Sequence, residues 1–127
     1  FYKLCSLKLN KNGVFITQAG SPYYATKAFY CIDKTLRAAN FKTLPMQNQV
    51  LTLGQWGWVL AKKQAVQSEE VTKLKFTNLN LKWLTEKATP QLVAFGKPLA
   101  DTTGIKINTI FSPKLYNYYR KGNWDLY

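Results

Sequence analysis

The stretch Leu53-Gly54-Gln55-Trp56-Gly57-Trp58-Val59-Leu60-Ala61-Lys62 narrows the possible folds more than any other. Gly54 tolerates the positive φ of a tight turn, and the run from Trp58 to Ala61 is apolar, aromatic and β-branched enough to be a buried strand. Ahead of the turn, Val50 and Thr52 with the flanking Leu51 and Leu53 form a second extended segment, so the pair reads as a β-hairpin. Trp58 continues the strand and is assigned to the core. Trp56 sits at the mouth of the turn, where its ring either roofs a pocket or packs with its N–H bonded to a nearby carbonyl.

The rest of the chain supplies the elements around this hairpin. An opening helix carries Phe1, Leu4, Cys5 and Leu9 near one face and is expected to stop at Asn12-Gly13. It has no N-cap in front, as if entered partway along, which implies a piece of a longer protein. Val14 to Gln18 is nearly all apolar, as a central strand covered on both faces would be. Ser21-Pro22 then makes a cap and first-turn pair for a helix whose Phe29, Ile32, Leu36 and Ala39 face a core, with Asn40 as its stop. Phe41 to Leu44 restarts as strand, and Pro45 assigns that strand to an edge. The order helix, strand, helix, strand, strand, with the last two antiparallel, predicts an α/β sheet.

Beyond it the pattern is weaker. Residues 64–71 read as a loop, 73–79 as extended, and Leu81, Trp83 and Leu84 as a short amphipathic segment. Thr89-Pro90 opens a helix through Phe95, residues 98–103 connect, 105–110 form a short strand, and Ser112-Pro113 starts a last helix that Gly122 ends.

Composition removes several chemistries. With no histidine, the commonest metal ligand and acid–base group are both missing. Cys5 and Cys31 lie in apolar helical patterns without C-x-x-C spacing and read as core residues of a reducing compartment. Ser21 lacks a G-x-S-x-G setting, and Gly13, Gly20 and Gly54 form no phosphate loop. No metal site is expected. A net charge of +12 invites nucleic acid or anionic lipid, but the lysines run from Lys3 to Lys121 without a run of five, which favours a solvated surface. Tyr116, Tyr118, Tyr119, Arg120, Lys121 and Trp124 mix aromatics with base as single-strand binders do. At helical spacing they instead pack a terminal helix whose basic end complements its dipole. No apolar run approaches the ~20 residues of a membrane helix.

Two segments carry a resemblance. Gly13-Val14-Phe15-Ile16-Thr17-Gln18-Ala19-Gly20-Ser21-Pro22 and, after a helix, Gly54 to Lys62 resemble the C-terminal half of a spermidine synthase, closest to the membrane-associated branch of those polyamine aminopropyltransferases. The likeness is good from Phe1 to about Lys63 and looser afterwards, where Lys82-Trp83 and Phe95 sit near family positions and Asn108-Thr109-Ile110 looks like the membrane-associated branch.

The resemblance implies the C-terminal part of a Rossmann-like, methyltransferase-type sheet of three core strands, the last antiparallel, with flanking helices. Residues 1–64 would be half of that α/β domain, and 65–127 an extension of the same domain. It further implies transfer of an aminopropyl group from decarboxylated S-adenosylmethionine, the co-substrate of the intact parent, to putrescine or a related amine. The nucleotide loop and the proton-accepting aspartate of the family would precede Phe1, so no catalytic residue and no cofactor is assigned to this chain, which would not be competent alone. Its expected contribution is the acceptor side of the pocket. Gln18 would lie near the polyamine, Trp56 would cover its methylene chain, and Gln55 is the third candidate. An amide oxygen accepts from an ammonium, and an indole face attracts a cation. The family's tyrosine three residues before the glycine is Leu51 here, which removes a hydroxyl from the amine site.

None of the six acidic residues lies in the two motifs, so the negative field for a dication would come from the missing N-terminal half. The Val14 strand would leave an open apolar edge, which predicts a homo-oligomer or a cleaved fragment. A cytoplasmic location, or the cytoplasmic domain of a protein attached to a membrane through other parts, is expected. Two other classes stay open: a non-catalytic binding module on the same fold, and a basic nucleic-acid-binding domain.

Overall fold

The computed structural model describes residues 1–97 and 101–126. Strands β1 (Val14–Gly20), β2 (Lys42–Val50) and β3 (Gly54–Lys62) form one sheet in the order β1-β3-β2, with β3 antiparallel to both neighbours. With helices α1 (Tyr2–Lys8) and α2 (Thr26–Arg37) around it, this is the α/β class expected, three core strands with the last antiparallel.

The hairpin forms, but its turn is 51–53, which the sequence pattern assigns to extended chain, so that β2 ends at Val50 and β3 begins at Gly54 itself. Leu53 N–H donates to the Val50 carbonyl at 3.1 Å and Gly54 takes φ 66°. The ladder then runs unbroken from Val50 opposite Gly54 to Lys42 opposite Lys62. Pro45 lies within β2 without interrupting it, because β2 is an edge strand with a partner on one side only.

Alternation decides the faces of the sheet. Gly57, Val59 and Ala61 are buried on the α2 side, and a Cβ at Gly57 would run into the Phe29 ring. Trp58 falls on the other side and is only half-buried, so the expected order of the two tryptophans is reversed: Trp56 is 9% exposed. β1 has the open edge expected of it, but not the cover on both faces. It is an edge of the described sheet, and Val14 and Ile16 on its outer face are each more than half exposed.

Helix α2 buries Phe29, Ile32, Leu36 and then Ala39 as expected, and Asn40 takes the left-handed stop at φ 66°. Its start comes later than Ser21-Pro22 suggests. Ser21 Oγ accepts from Tyr23 and Tyr24 N–H and caps a turn, after which the helix begins at Thr26. Helix α1 ends at Lys8, short of Asn12-Gly13, because Leu9 goes extended and turns inward. Tyr2, Cys5 and Leu9 therefore pack on the core, while Phe1 and Leu4 stay exposed.

The second half differs most from the sequence reading. Residues 64–71 hold helix α3 (Ser68–Thr72), closed by a reciprocal Gln67–Glu70 capping box. Residues 73–79 and 105–110 form no strand, since neither finds a sheet edge; Ile105 alone of the latter enters the core. A 3₁₀ segment spans Glu86–Val93, starting ahead of Thr89, whose buried hydroxyl donates to the Thr72 and Glu86 carbonyls instead of capping. Of the expected connection 98–103, residues 98–100 lie outside the described residues. Helix α4 (Leu115–Arg120) and a 3₁₀ turn (Trp124–Leu126) close the chain. No helix among the described residues is long and apolar enough to cross a membrane.

Candidate functional site

At the C-terminal end of β1 the ladder slips between Gln18 and Gly20, and Gly20 takes φ 74° opposite Gly57. This bulge bends the strand end away from the sheet and opens a cavity of about 570 Å³. Gln18, Ala19 and Gly20 make one wall and Trp56 another. The third comes from the C-terminal segment, through Tyr116 and Tyr119. Ala28 and Ile32 of α2 floor it.

The structure thus brings Gln18 and Trp56 to one hollow from two different strands. Gln18 is exposed and its amide bonds no other described residue, the capping of the next turn having been taken by Ser21. Trp56 is buried, yet its indole N–H has no acceptor among the described residues. A buried donor left so costs on the order of 1–3 kcal/mol unless ligand or solvent answers it. Gln55, the third expected site residue, does not line the cavity, and its buried Oε1 has no hydrogen-bond partner among the described residues.

The third wall is held by polar contacts. Thr35 Oγ1 on α2 donates to the Cys31 carbonyl at 2.6 Å and accepts from Asn108 N–H at 2.9 Å. Asn108 Oδ1 in turn accepts from Lys114 and Leu115 N–H, capping α4. Past α4, Asn123 N–H donates to the Tyr24 carbonyl at 2.7 Å, and the Trp124 indole donates to the Tyr119 carbonyl at 2.7 Å. The Trp124 ring lies 4.7 Å from Tyr119 and 6.4 Å from Trp56, centroid to centroid.

Among the described residues the ionisable side chains of the cavity wall are the phenols of Tyr116 and Tyr119, with no carboxylate, thiol or amine beside them. The nearest thiol, Cys31 in the core, is pushed up by burial and stays protonated. Among the described residues no three His, Cys, Asp or Glu cluster to hold a metal ion.

Comparison with known proteins places this geometry in a lineage. The profile of the spermine/spermidine synthase domain matches residues 1–75. The chain belongs to that family. It is 35% identical over 125 residues to polyamine aminopropyltransferase 2 of Aquifex aeolicus (strain VF5), covering 95% of this chain and 24% of that protein. It is 28% identical over 130 residues to the polyamine aminopropyltransferase of Oceanobacillus iheyensis, covering 100% and 24%, and 30% identical over 126 residues to that of Shewanella oneidensis, covering 95% and 21%. The chain spans about a quarter of the length of the curated relatives it matches.

Gln18 and Trp56 fall inside the span of the spermine/spermidine synthase profile, whereas Asn108, Tyr119 and Trp124 fall outside it. Leu51, where the resemblance implies a tyrosine, is 93% exposed at the hairpin tip and does not line the cavity. Lys82 and Trp83 are exposed, and Phe95 packs on Phe29 at 6.4 Å. Sequence reasoning missed Asn108 as a cap, since the amide it needs lies six residues ahead of the N–H group it serves. It noticed Tyr119 and Trp124 only as helix packing.

Proposed function

We propose that this chain is the acceptor-side C-terminal part of a spermidine synthase-like aminopropyltransferase. The parent transfers an aminopropyl group from decarboxylated S-adenosylmethionine to putrescine or a related amine, and this part alone is not competent. In the transfer the amine nitrogen attacks the carbon bonded to the sulfonium sulfur. The C–N bond forms as the C–S bond breaks, the bonding pair leaves on sulfur as a neutral thioether, and the nitrogen loses a proton to a base outside these residues.

The task of this chain is to hold the amine in line, and orientation alone carries much of such a barrier. The observation that carries the reading is that Gln18 and Trp56, on different strands, line one cavity. The free Gln18 amide accepts from an ammonium. The Trp56 ring covers methylene groups and attracts the cation. Residues 1–64 then form half of a methyltransferase-like domain, with 65–127 an extension of it; the missing N-terminal half completes the negative field. Val14 and Ile16, exposed on β1, are apolar surface suited to that half or to a second copy. The parent works in the cytoplasm, and any membrane attachment comes from other parts.

The test is amine turnover by the full-length protein. Gln18→Ala and Trp56→Ala are each expected to lower kcat/KM for the amine by about tenfold or more, as loss of one charge-directed contact does. Unchanged turnover in both removes the assignment. A wild-type protein that binds amine but transfers nothing favours a non-catalytic binding module on the same fold.

A further inference from the structure

The C-terminal segment contributes a wall to the cavity from outside the span of the family profile, and its aromatic residues are differently engaged. Tyr118 packs on the core and its hydroxyl accepts from Lys106 N–H at 3.2 Å. The face of Tyr116 is covered by the Arg120 guanidinium, 5.7 Å from the ring centroid. Tyr119 alone of the three lies against the Gln18–Gly20 wall, its ring 3.6 Å from where a Cβ on Gly20 would stand. That spacing is ordinary van der Waals contact, so the ring packs directly on the bulge, whose left-handed backbone at φ 74° is what calls for glycine.

Trp124 fixes Tyr119 in place. Its indole bonds the Tyr119 carbonyl, its ring packs on Tyr119, and its other neighbour is Trp56. Gly122 permits this seating: a Cβ there would stand 2.8 Å from the Tyr24 carbonyl and 2.7 Å from the Trp124 indole nitrogen. The result is a connected set, Tyr119–Trp124–Trp56, running from the Gln18 strand end to the hairpin strand.

Among the described residues no carboxylate lines this cavity. A cationic amine held here meets π faces and an amide oxygen, and each added ring face strengthens the attraction for the cation and covers more of its methylene chain. We propose, on the basis of the aminopropyltransferase reading above, that Tyr119 is a specificity-determining residue for the acceptor amine and that Trp124 is the positioning residue that holds it. The amine's alkylammonium end rests on the Tyr119 face, next to the Gln18 amide.

The experiment is steady-state kinetics of the full-length protein with decarboxylated S-adenosylmethionine and a series of unbranched diamines of increasing length. Tyr119→Leu keeps bulk but removes the π face, and is expected to raise KM for the preferred diamine about five- to thirtyfold with the donor KM unchanged. Tyr119→Phe keeps the face and is expected to stay within about twofold of wild type. Trp124→Leu is expected to raise the amine KM in the same way and to flatten the dependence on diamine length, with Trp124→Phe restoring most of it. A merely structural role would move the donor KM and kcat together with the amine KM. An active wild type whose Tyr119→Leu variant leaves the amine KM and length profile unchanged overturns this inference and leaves the aminopropyltransferase reading standing. A wild type that transfers to no amine overturns both.

Discussion

Behind the sheet, Phe29, Leu36, Val59 and Ala61 are sealed from solvent and form one cluster with Phe41 and Cys31. Beyond Lys62 the chain is fastened differently. Lys62 Nζ meets Glu70 at 2.6 Å, the Gln47 amide donates to the Gln91 and Ala94 carbonyls, and Thr35 reaches α4 through Asn108. Among the described residues of that half, Ile105 alone is a buried member of the cluster, with Phe95, Leu115 and Tyr118 packed at its margin. The candidate cavity lies on the border, with Gln18 on the tightly packed side and Tyr119 on the pinned side. Apolar burial resists local opening more than a few polar clips do, one of them, Lys62–Glu70, exposed. The candidate cavity therefore has one wall on the tightly packed side and one on the side held mainly by polar contacts.

The largest way to break the contrast is Phe29→Ala. Phe29 is fully buried, packs edge-on against Tyr30 at 5.1 Å, and lies against the glycine notch at Gly57. Losing that ring from a closed core is expected to cost about 3–5 kcal/mol, read as a drop in unfolding free energy by urea titration of this domain. A loss below about 1 kcal/mol would show that the sheet half is no more tightly packed than the rest.

Asn108→Ala sharpens the contrast from the other side. It removes the acceptor for two α4 N–H groups while leaving the sheet untouched, and is expected to cost about 1–2 kcal/mol. The distinctive readout is hydrogen exchange: α4 amides lose protection while β3 amides keep theirs. Equal loss in both would mean that the two regions open as one unit.

The same division governs what could be read from residues alone. The hairpin, α2 and its Asn40 stop were legible because each is written locally, as a glycine with positive φ, a helical apolar stripe or a left-handed asparagine. Trp58 was misplaced because the buried face of β3 is the one that carries Gly57, Val59 and Ala61, while the Trp56 ring has a neighbour in Trp124, far along the chain. In the second half, nearly every element answers to a distant partner. Thr89 bonds the Thr72 carbonyl, Asn108 reads Thr35, and 105–110 lacks a strand to pair with. Only the Gln67–Glu70 capping box was present locally and passed over, since it uses glutamine where serine or threonine is commoner. For the site, Gln18, Trp56 and Gln55 all rest on the family resemblance, and nothing local in the sequence tells that Gln55 stays out of the cavity that the other two line.

The smallest effect expected is an acid-induced loosening confined to the pinned half. The hydrogen bond from Lys62, then that from Gln67 N–H, holds the Glu70 carboxyl below its usual range; Lys75 and Phe76 N–H do the same for Glu86. A carboxylate whose folded pKa lies below its unfolded one binds fewer protons when folded. The stability it lends is therefore present above the unfolded value and is lost as pH falls through the carboxylate range to the depressed folded value. Both carboxylates are solvent-exposed, so the effect is modest and weakens with salt. Hydrogen exchange followed from neutral pH downward, corrected for the intrinsic pH dependence of exchange, should show α3 amides losing protection before those of α2. Glu70→Gln should remove most of the pH dependence at α3 while leaving α2 as it was. If α3 and α2 lose protection together in wild type, the lysine–glutamate clips are not what sets the two halves apart.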